Sequence, residues 1–197
     1  MRELTYYVAV SLDGYIASPD HAFDAFDVEG DHIDLILKEY VDTLPAAGLE
    51  ALGLKADRSR FDTVLMGWNT YAVGFPYGVY DPYPHLRQYV FSRRHTKADG
   101  NLDAAGEIMV TAEDPVSVVR RLKAEPEGTG IWLCGGGQLA STLIDEIDRL
   151  VLKVNPVLFG DGIRLFATRP YDPRRFELTG SRTFRTGVVM NEYRRAA

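Results

Sequence analysis

The stretch IWLCGGGQLASTLIDEIDRLVLKV, residues 131–154, decides how the rest of the chain is read. Three consecutive glycines, Gly135, Gly136 and Gly137, stand between the apolar run GIWLC and a segment in which Leu139, Leu143, Ile144 and Ile147 recur at helical spacing. A second apolar run, RLVLKV, follows. Strand, glycine turn, helix and strand make the repeating unit of a parallel α/β sheet. An ordinary strand-to-helix turn needs one glycine. Three in a row point to a backbone that approaches a ligand with no Cβ in the way. Just beyond, the start of a helix presents free N–H groups and a positive dipole end to a phosphate.

Outward from these glycines the alternation continues. ELTYYVAV, residues 3–10, reads as a buried strand ending in the Asp13-Gly14 turn of SLDG. DHIDLILKEYVDTL, residues 31–44, reads as a helix carrying Ile33, Ile36, Leu37, Tyr40, Val41 and Leu44 on one face, with Asp31 as its N-cap. FDTVLMG (61–67), HLRQYVFSRR (85–94), GEIMVTA (106–112) and RLVLKVNPVLFG (149–160) read as strands. PVSVVRRLKAE (115–125) reads as a helix with Pro115 in its first turn. The ending, RRFELTGSRTFRTGVVMNEYRR (174–195), has two β-rich runs around a turn and no helical period, which predicts an antiparallel hairpin on the sheet edge. The expected fold is α/β: a mostly parallel central sheet with a C-terminal antiparallel hairpin, in a single domain over residues 1–197.

Composition narrows the function classes. The 197 residues are 46% hydrophobic and 25% charged with a net charge of -6, so nothing marks the basic face of a nucleic-acid binder. A small anionic ligand held by a local basic cluster stays open. The one cysteine, Cys134, excludes an internal disulfide and a CxxC metal site, and it reads as a packed core thiol. The four histidines have no metal-ligand spacing, so no metal is expected. No apolar run approaches membrane-spanning length, and MRELTYYVAV lacks a signal-peptide pattern, which predicts a cytoplasmic protein with no membrane partner.

GGGQLA fits the G-x-G-x-x-A dinucleotide fingerprint, but that fingerprint opens its fold and is followed about 20 residues on by an acidic residue. Here the next strand ends at Val154-Asn155 and too little chain remains for the other half of such a sheet. A P-loop is excluded because no Gly-Lys-Ser/Thr follows. The second clue is YVFSRRH, which puts Ser92, Arg93, Arg94 and His95 at a strand end, where ligands of parallel sheets bind. Guanidinium groups there favour a 2′-phosphate over a bare ribose, hence NADPH over NADH; a solvated basic turn is the plainer alternative.

VAVSLDGYIA, DTVLMGWNTY, YVFSRR, IWLCGGGQLASTLI and LVLKVNPVLFGDG, in this order, resemble the dihydrofolate reductase-like superfamily over nearly the whole chain. The branch they resemble is the C-terminal reductase domain of the riboflavin-biosynthesis deaminase–reductase. The resemblance implies a three-layer α/β/α fold and an NADPH-dependent oxidoreductase, like dihydrofolate reductase or 5-amino-6-(5-phosphoribosylamino)uracil reductase. It implies that Ala9, Ile16 and Ala17 belong to the segment around the nicotinamide. Gly67 and Thr70 lie beside the cofactor phosphates, and Ser92, Arg93 and Arg94 hold the 2′-phosphate. Gly135, Gly136, Gly137, Gln138 and Leu139 form the pyrophosphate loop. It also implies a homodimer, built partly on the C-terminal strands. Two departures stand out: Trp68 replaces the arginine of the family's Gly-Arg-x-Thr turn, and SPDHAFDAFDVEGDHID stands in place of a Leu-Pro-Trp segment.

Reduction of a C=N or C=O bond needs a proton as well as a hydride. In dihydrofolate reductases the first helix supplies a carboxylate, so Asp27, Asp31 and Asp34 are candidates, each also readable as surface or capping. Asp13 either shapes its turn, orients the loop over the nicotinamide or touches substrate; Asp161 has the same ambiguity. VGFPYGVYDPYPH, residues 73–85, with Phe75, Tyr77, Tyr80 and Tyr83, lines a pocket for a flat heterocycle or a dimer contact. The expected function is reduction of a small pterin- or pyrimidine-like heterocycle by NADPH. A nucleotide-binding module of this fold without reductase activity is the alternative.

Overall fold

The computed structural model describes residues 1–100 and 108–196. In chain order the elements are β1 (Leu4–Val10), β2 (Tyr15–Ala17), α1 (Asp31–Glu39), α2 (Ala46–Leu52), β3 (Phe61–Gly67), α3 (Trp68–Ala72), β4 (Arg87–Phe91) and β5 (Ile108–Thr111). There follow α4 (Pro115–Lys123), β6 (Gly130–Gly135), α5 (Gly137–Thr142), β7 (Arg149–Val154), β8 (Ile163–Arg164), β9 (Phe176–Thr183) and β10 (Val189–Arg195). Eight strands form one sheet in the order β5-β4-β3-β6-β1-β7-β10-β9. β5 to β7 run parallel through this order, and the β9–β10 hairpin joins antiparallel to β7.

The three layers follow from strand alternation. Leu4, Tyr6, Leu65, Ile131, Leu133 and Leu150 point to one face, where Val118, Val119 and Leu122 of α4 and Leu139 and Ala140 of α5 cover them. Tyr7, Val64, Met66, Trp132 and Val151 point to the other, under Ile36 of α1 and Tyr71 of α3. Burying each large apolar side chain contributes roughly 1.5–3 kcal/mol, so sheet and helices are held by the same residues that set the strand pattern.

At the sheet edge where the parallel strands begin, charges are paired. The buried Arg2 bridges Asp62 and Glu125, and Arg87 lies 2.7 Å from Glu125. A polar recess there is also lined by Lys38, Glu39, Arg60, Arg149 and Glu192. Its cations face its own carboxylates, Arg149 with Glu192 at 3.2 Å and Arg60 with Glu39 at 3.8 Å.

The structure departs from the sequence reading at element ends. α1 stops at Glu39 and a 3-10 turn covers Val41–Thr43, because Leu44 is held extended ahead of Pro45. Gly30, not Asp31, is the N-cap of α1; the Asp31 carboxylate instead accepts the backbone N–H of Arg185 at 3.1 Å. α5 ends at Thr142, and β7 ends at Val154 with a loop over 155–160. Residues 106 and 107 of the expected strand over 106–112 lie outside the described residues. No helix among the described residues is long and apolar enough to cross a membrane.

Candidate active site

β3 and β6 lie side by side, with Met66 opposite Gly135, so their carboxyl ends bring the Gly67–Thr70 turn against the glycine loop. Gly135 has φ +146°, a conformation that side chains oppose. A Cβ on Gly137 would overlap the carbonyl oxygen of Arg164. The fold therefore requires glycine at both positions. Gly136 differs: its φ is -99°, and a Cβ there would sit 3.6 Å from Thr70 Oγ1, an ordinary contact. Gly67 completes the corner, its Cβ position being 4.0 Å from the Gly136 nitrogen. Gln138 is exposed, while the Leu139 side chain is packed in the core, so only its backbone belongs to the loop.

β4 is the next strand, with Phe91 opposite Gly67, and it delivers the Ser92–His95 turn to the same edge. Ser92 Oγ accepts the N–H groups of Arg94 at 3.2 Å and His95 at 2.8 Å, leaving a hydroxyl proton to donate outward. Arg93 and Arg94 are exposed. Trp68 stacks on His95 with centroids 4.2 Å apart and planes 9° from parallel, and meets Tyr71 and Phe75 edge-on. Most of the aromatic loop turns inward. Phe75 packs on Tyr71, Tyr83 packs on Trp132, and the Tyr71 hydroxyl donates to the Tyr80 carbonyl at 2.6 Å. Tyr77 alone of the four named aromatics stands clear, 83% exposed.

The first loop closes the site. β2 pairs antiparallel with β8, carrying half-buried Ile16 and Ala17, and Leu165 N–H donates to the Gly14 carbonyl at 2.9 Å. Ala167 N–H then donates to the Gly137 carbonyl at 3.1 Å, tying this segment to the glycine loop. The Asp13 carboxylate accepts from Ser11 Oγ at 2.6 Å, Phe159 N–H at 3.1 Å and Gly160 N–H at 2.7 Å. The Ser11 hydrogen bond, helped by the two backbone donors, brings its pKa down to about 2. Asp13 is thus an ionised anchor between two loops.

Asp34 is exposed on α1, one turn from Lys38. Asp27 is exposed too, yet its backbone carbonyl lies 3.1 Å from His32 Nε2 and accepts from Lys153 Nζ at 3.0 Å. Lys153 is opposite Ala9 in the β1–β7 register, so this lysine links the Asp27 loop to the end of β1. Sequence reading passed Lys153 over; the signal was a charged residue inside the apolar run RLVLKV. Burial lowers its pKa, against the opposing pull of Asp27. Cys134 lies on the same side of the sheet, hydrogen-bonded with Tyr83, and burial pushes its thiol up to about 12. Among the described residues no group of three His, Cys, Asp or Glu side chains could hold a metal ion.

Glycine loop, threonine turn and serine–arginine turn sit on the carboxyl ends of three adjacent parallel strands. Residues 2–190 match the family described as RibD C-terminal domain. The chain belongs to the RibD C-terminal domain family. It is similar to the uncharacterized protein YwjB of Bacillus subtilis, 30% identical and covering 98% of each chain. Among solved structures, a provisional riboflavin biosynthesis protein from Shewanella sp. PV-4 superposes with a TM-score of 0.70 at 23% identity, over 100% of both chains. A pyrimidine reductase-like protein of Corynebacterium diphtheriae gives 0.63 at 14% identity, covering 100% of this chain and 92% of that one. These likenesses carry the fold, a RibD-type α/β sheet with its antiparallel ending.

Proposed function

We propose that the protein is an NADPH-dependent reductase of a small flat heterocycle, pterin- or pyrimidine-like. One observation carries this reading: the glycine loop, Thr70 and the Ser92–Arg94 turn converge at one sheet edge. The residues there fit the cofactor. The fold leaves the Cβ side of Gly136 open beside the Thr70 hydroxyl, which suits the backbone to a diphosphate. Exposed Arg93 and Arg94 supply charge-assisted hydrogen bonds of the kind a 2′-phosphate takes. When bound, NADPH supplies the hydride. The chain's own part is to position both ligands: Ala9, Ile16 and Ala17 frame the nicotinamide end, and the inward-packed aromatics keep water from that side of the sheet.

Titration with NADPH while following tryptophan fluorescence tests this reading, because Trp68 sits at the site while Trp132 is buried in the core. Saturable quenching is expected; none up to millimolar NADPH overturns it. The anchoring of Asp13 favours a second reading, a nucleotide-binding module that reduces nothing, since that carboxylate is ionised and occupied. Turnover of any pterin, flavin precursor or quinoid compound above background removes this second reading.

A further inference from the structure

Among the described residues most buried and half-buried cations are satisfied within the fold, Arg195 by the Ile144 and Ile147 carbonyls and the Phe176 ring. Arg2 meets Asp62 and Glu125, and Lys123 lies 2.7 Å from Asp148 and donates to the Glu146 carbonyl at 2.6 Å. Lys153 is half-buried, and among the described residues it forms no ion pair. Its ammonium has three donors, of which the Asp27 carbonyl takes one. Asp27 acts on it only at longer range, so a partly buried cation keeps donors free for an anion.

Its position says which anion. Lys153 is two residues along β7 from Val151, so it projects to the same sheet face as Val151, Trp132 and Tyr7, beneath α1. It stands opposite Ala9 near the carboxyl end of β1. The charged and titratable groups around it are Asp27 from the loop before α1 and His32 from α1 itself, whose Nδ1 lies 3.3 Å from Thr186 Oγ1. We propose that Lys153 is the substrate-anchoring cation on this face of the sheet and that the substrate class is a flat heterocycle bearing an anionic oxygen. This rests on the reductase reading only in taking the face beside Ala9 and the Asp27 loop as the substrate half of the site. Its burial-lowered pKa agrees with a side chain lying along the sheet rather than extended into water.

Two measurements test it. Equilibrium binding of pterin-6-carboxylate and of uncharged pterin is compared in wild type, Lys153→Met and Lys153→Arg. The wild type is expected to prefer the acid by about tenfold, the scale of one charge-assisted hydrogen bond. Lys153→Met is expected to lose that preference and Lys153→Arg to keep it. Separately, pyridoxal 5′-phosphate with borohydride, read by peptide mass spectrometry, is expected to label Lys153 several-fold faster than exposed Lys38, Lys55 and Lys97. No preference for the acid in the wild type, an equal preference in Lys153→Met, or labelling no faster than at the exposed lysines overturns the proposal. NADPH titration of the same variants keeps the two readings apart. Loss of NADPH binding sinks the cofactor assignment, whereas the acid preference alone decides Lys153.

Discussion

Trp68 lies flat on His95, with ring centroids 4.2 Å apart, and so joins the turn after β3 to the turn after β4. The stack occupies the corner where related reductases, by the sequence resemblance, carry an arginine. An indole holds the neighbouring turn in place but brings no charge. Trp68→Arg is therefore expected to tighten NADPH on the order of tenfold, the effect of one charge-assisted hydrogen bond, as measured by calorimetry. Unchanged or weaker binding would mean that the stack already contributes as much as the arginine would.

Arg93 is expected to discriminate between the two nicotinamide cofactors. Arg93→Ala should weaken NADPH by roughly tenfold to a hundredfold and leave NADH almost untouched. Equal weakening of both would place Arg93 at the diphosphate or in support of the fold.

The adjacent glycines should separate by phenotype. Gly136→Val keeps a Cβ at ordinary distance from Thr70, so it is expected to stay folded and lose NADPH binding. Gly137→Ala forces a Cβ onto the Arg164 carbonyl and is expected to cost about 1–3 kcal/mol of stability, read by thermal or urea unfolding. A folded Gly136→Val protein with full affinity would reduce the loop to a turn.

Asp13 should leave a mark on the acid limb of stability. Its folded pKa, about 2, is below its ordinary value of 3.8. The stabilisation is complete above the ordinary value and fades as pH falls toward the folded one. Asp13→Asn is expected to melt earlier at neutral pH, with the gap to wild type closing between about pH 4 and pH 2. A gap that stays constant over that window rules out the anchor.

The outer strand β9 is proposed to pair two copies. It ends the sheet and exposes Leu178 by 58%, and an unpartnered edge strand of this length invites pairing. Light scattering at micromolar concentration is expected to give a dimer mass, and Leu178→Lys to shift it toward monomer. A monomeric wild type contradicts the pairing.

The parallel strands were legible because one residue pattern carried both their direction and their burial: Tyr6 and Tyr7, or Leu133 and Trp132, face opposite layers. α2 and α3 were not. AAGLEAL buries only Leu49, and WNTYA is too short to show a helical period. β2 and β8 pair across a long sequence separation and have three and two residues, so neither has a pattern of its own. The glycine loop was readable at the site, since backbone demands leave their mark as glycine. The Trp68–His95 stack was not, because it depends on β3 and β4 being neighbours. Lys153 escaped for a related reason: on a strand its side is set by register with Ala9, which appears only once the sheet is assembled.

Residues 162–167 bond to the loops on either side. Gly162 packs against the Ala17 carbonyl, Leu165 holds Gly14, Arg164 abuts Gly137 and Ala167 holds its carbonyl. In mechanical terms this segment is a splint between two half-sites. The loop proposed to hold the nicotinamide and the loop proposed to hold the diphosphate share one brace, through which a shift in one is passed to the other. A ligand that orders one end lowers the entropy still to be lost at the other, and the two halves of the site are set to fill together.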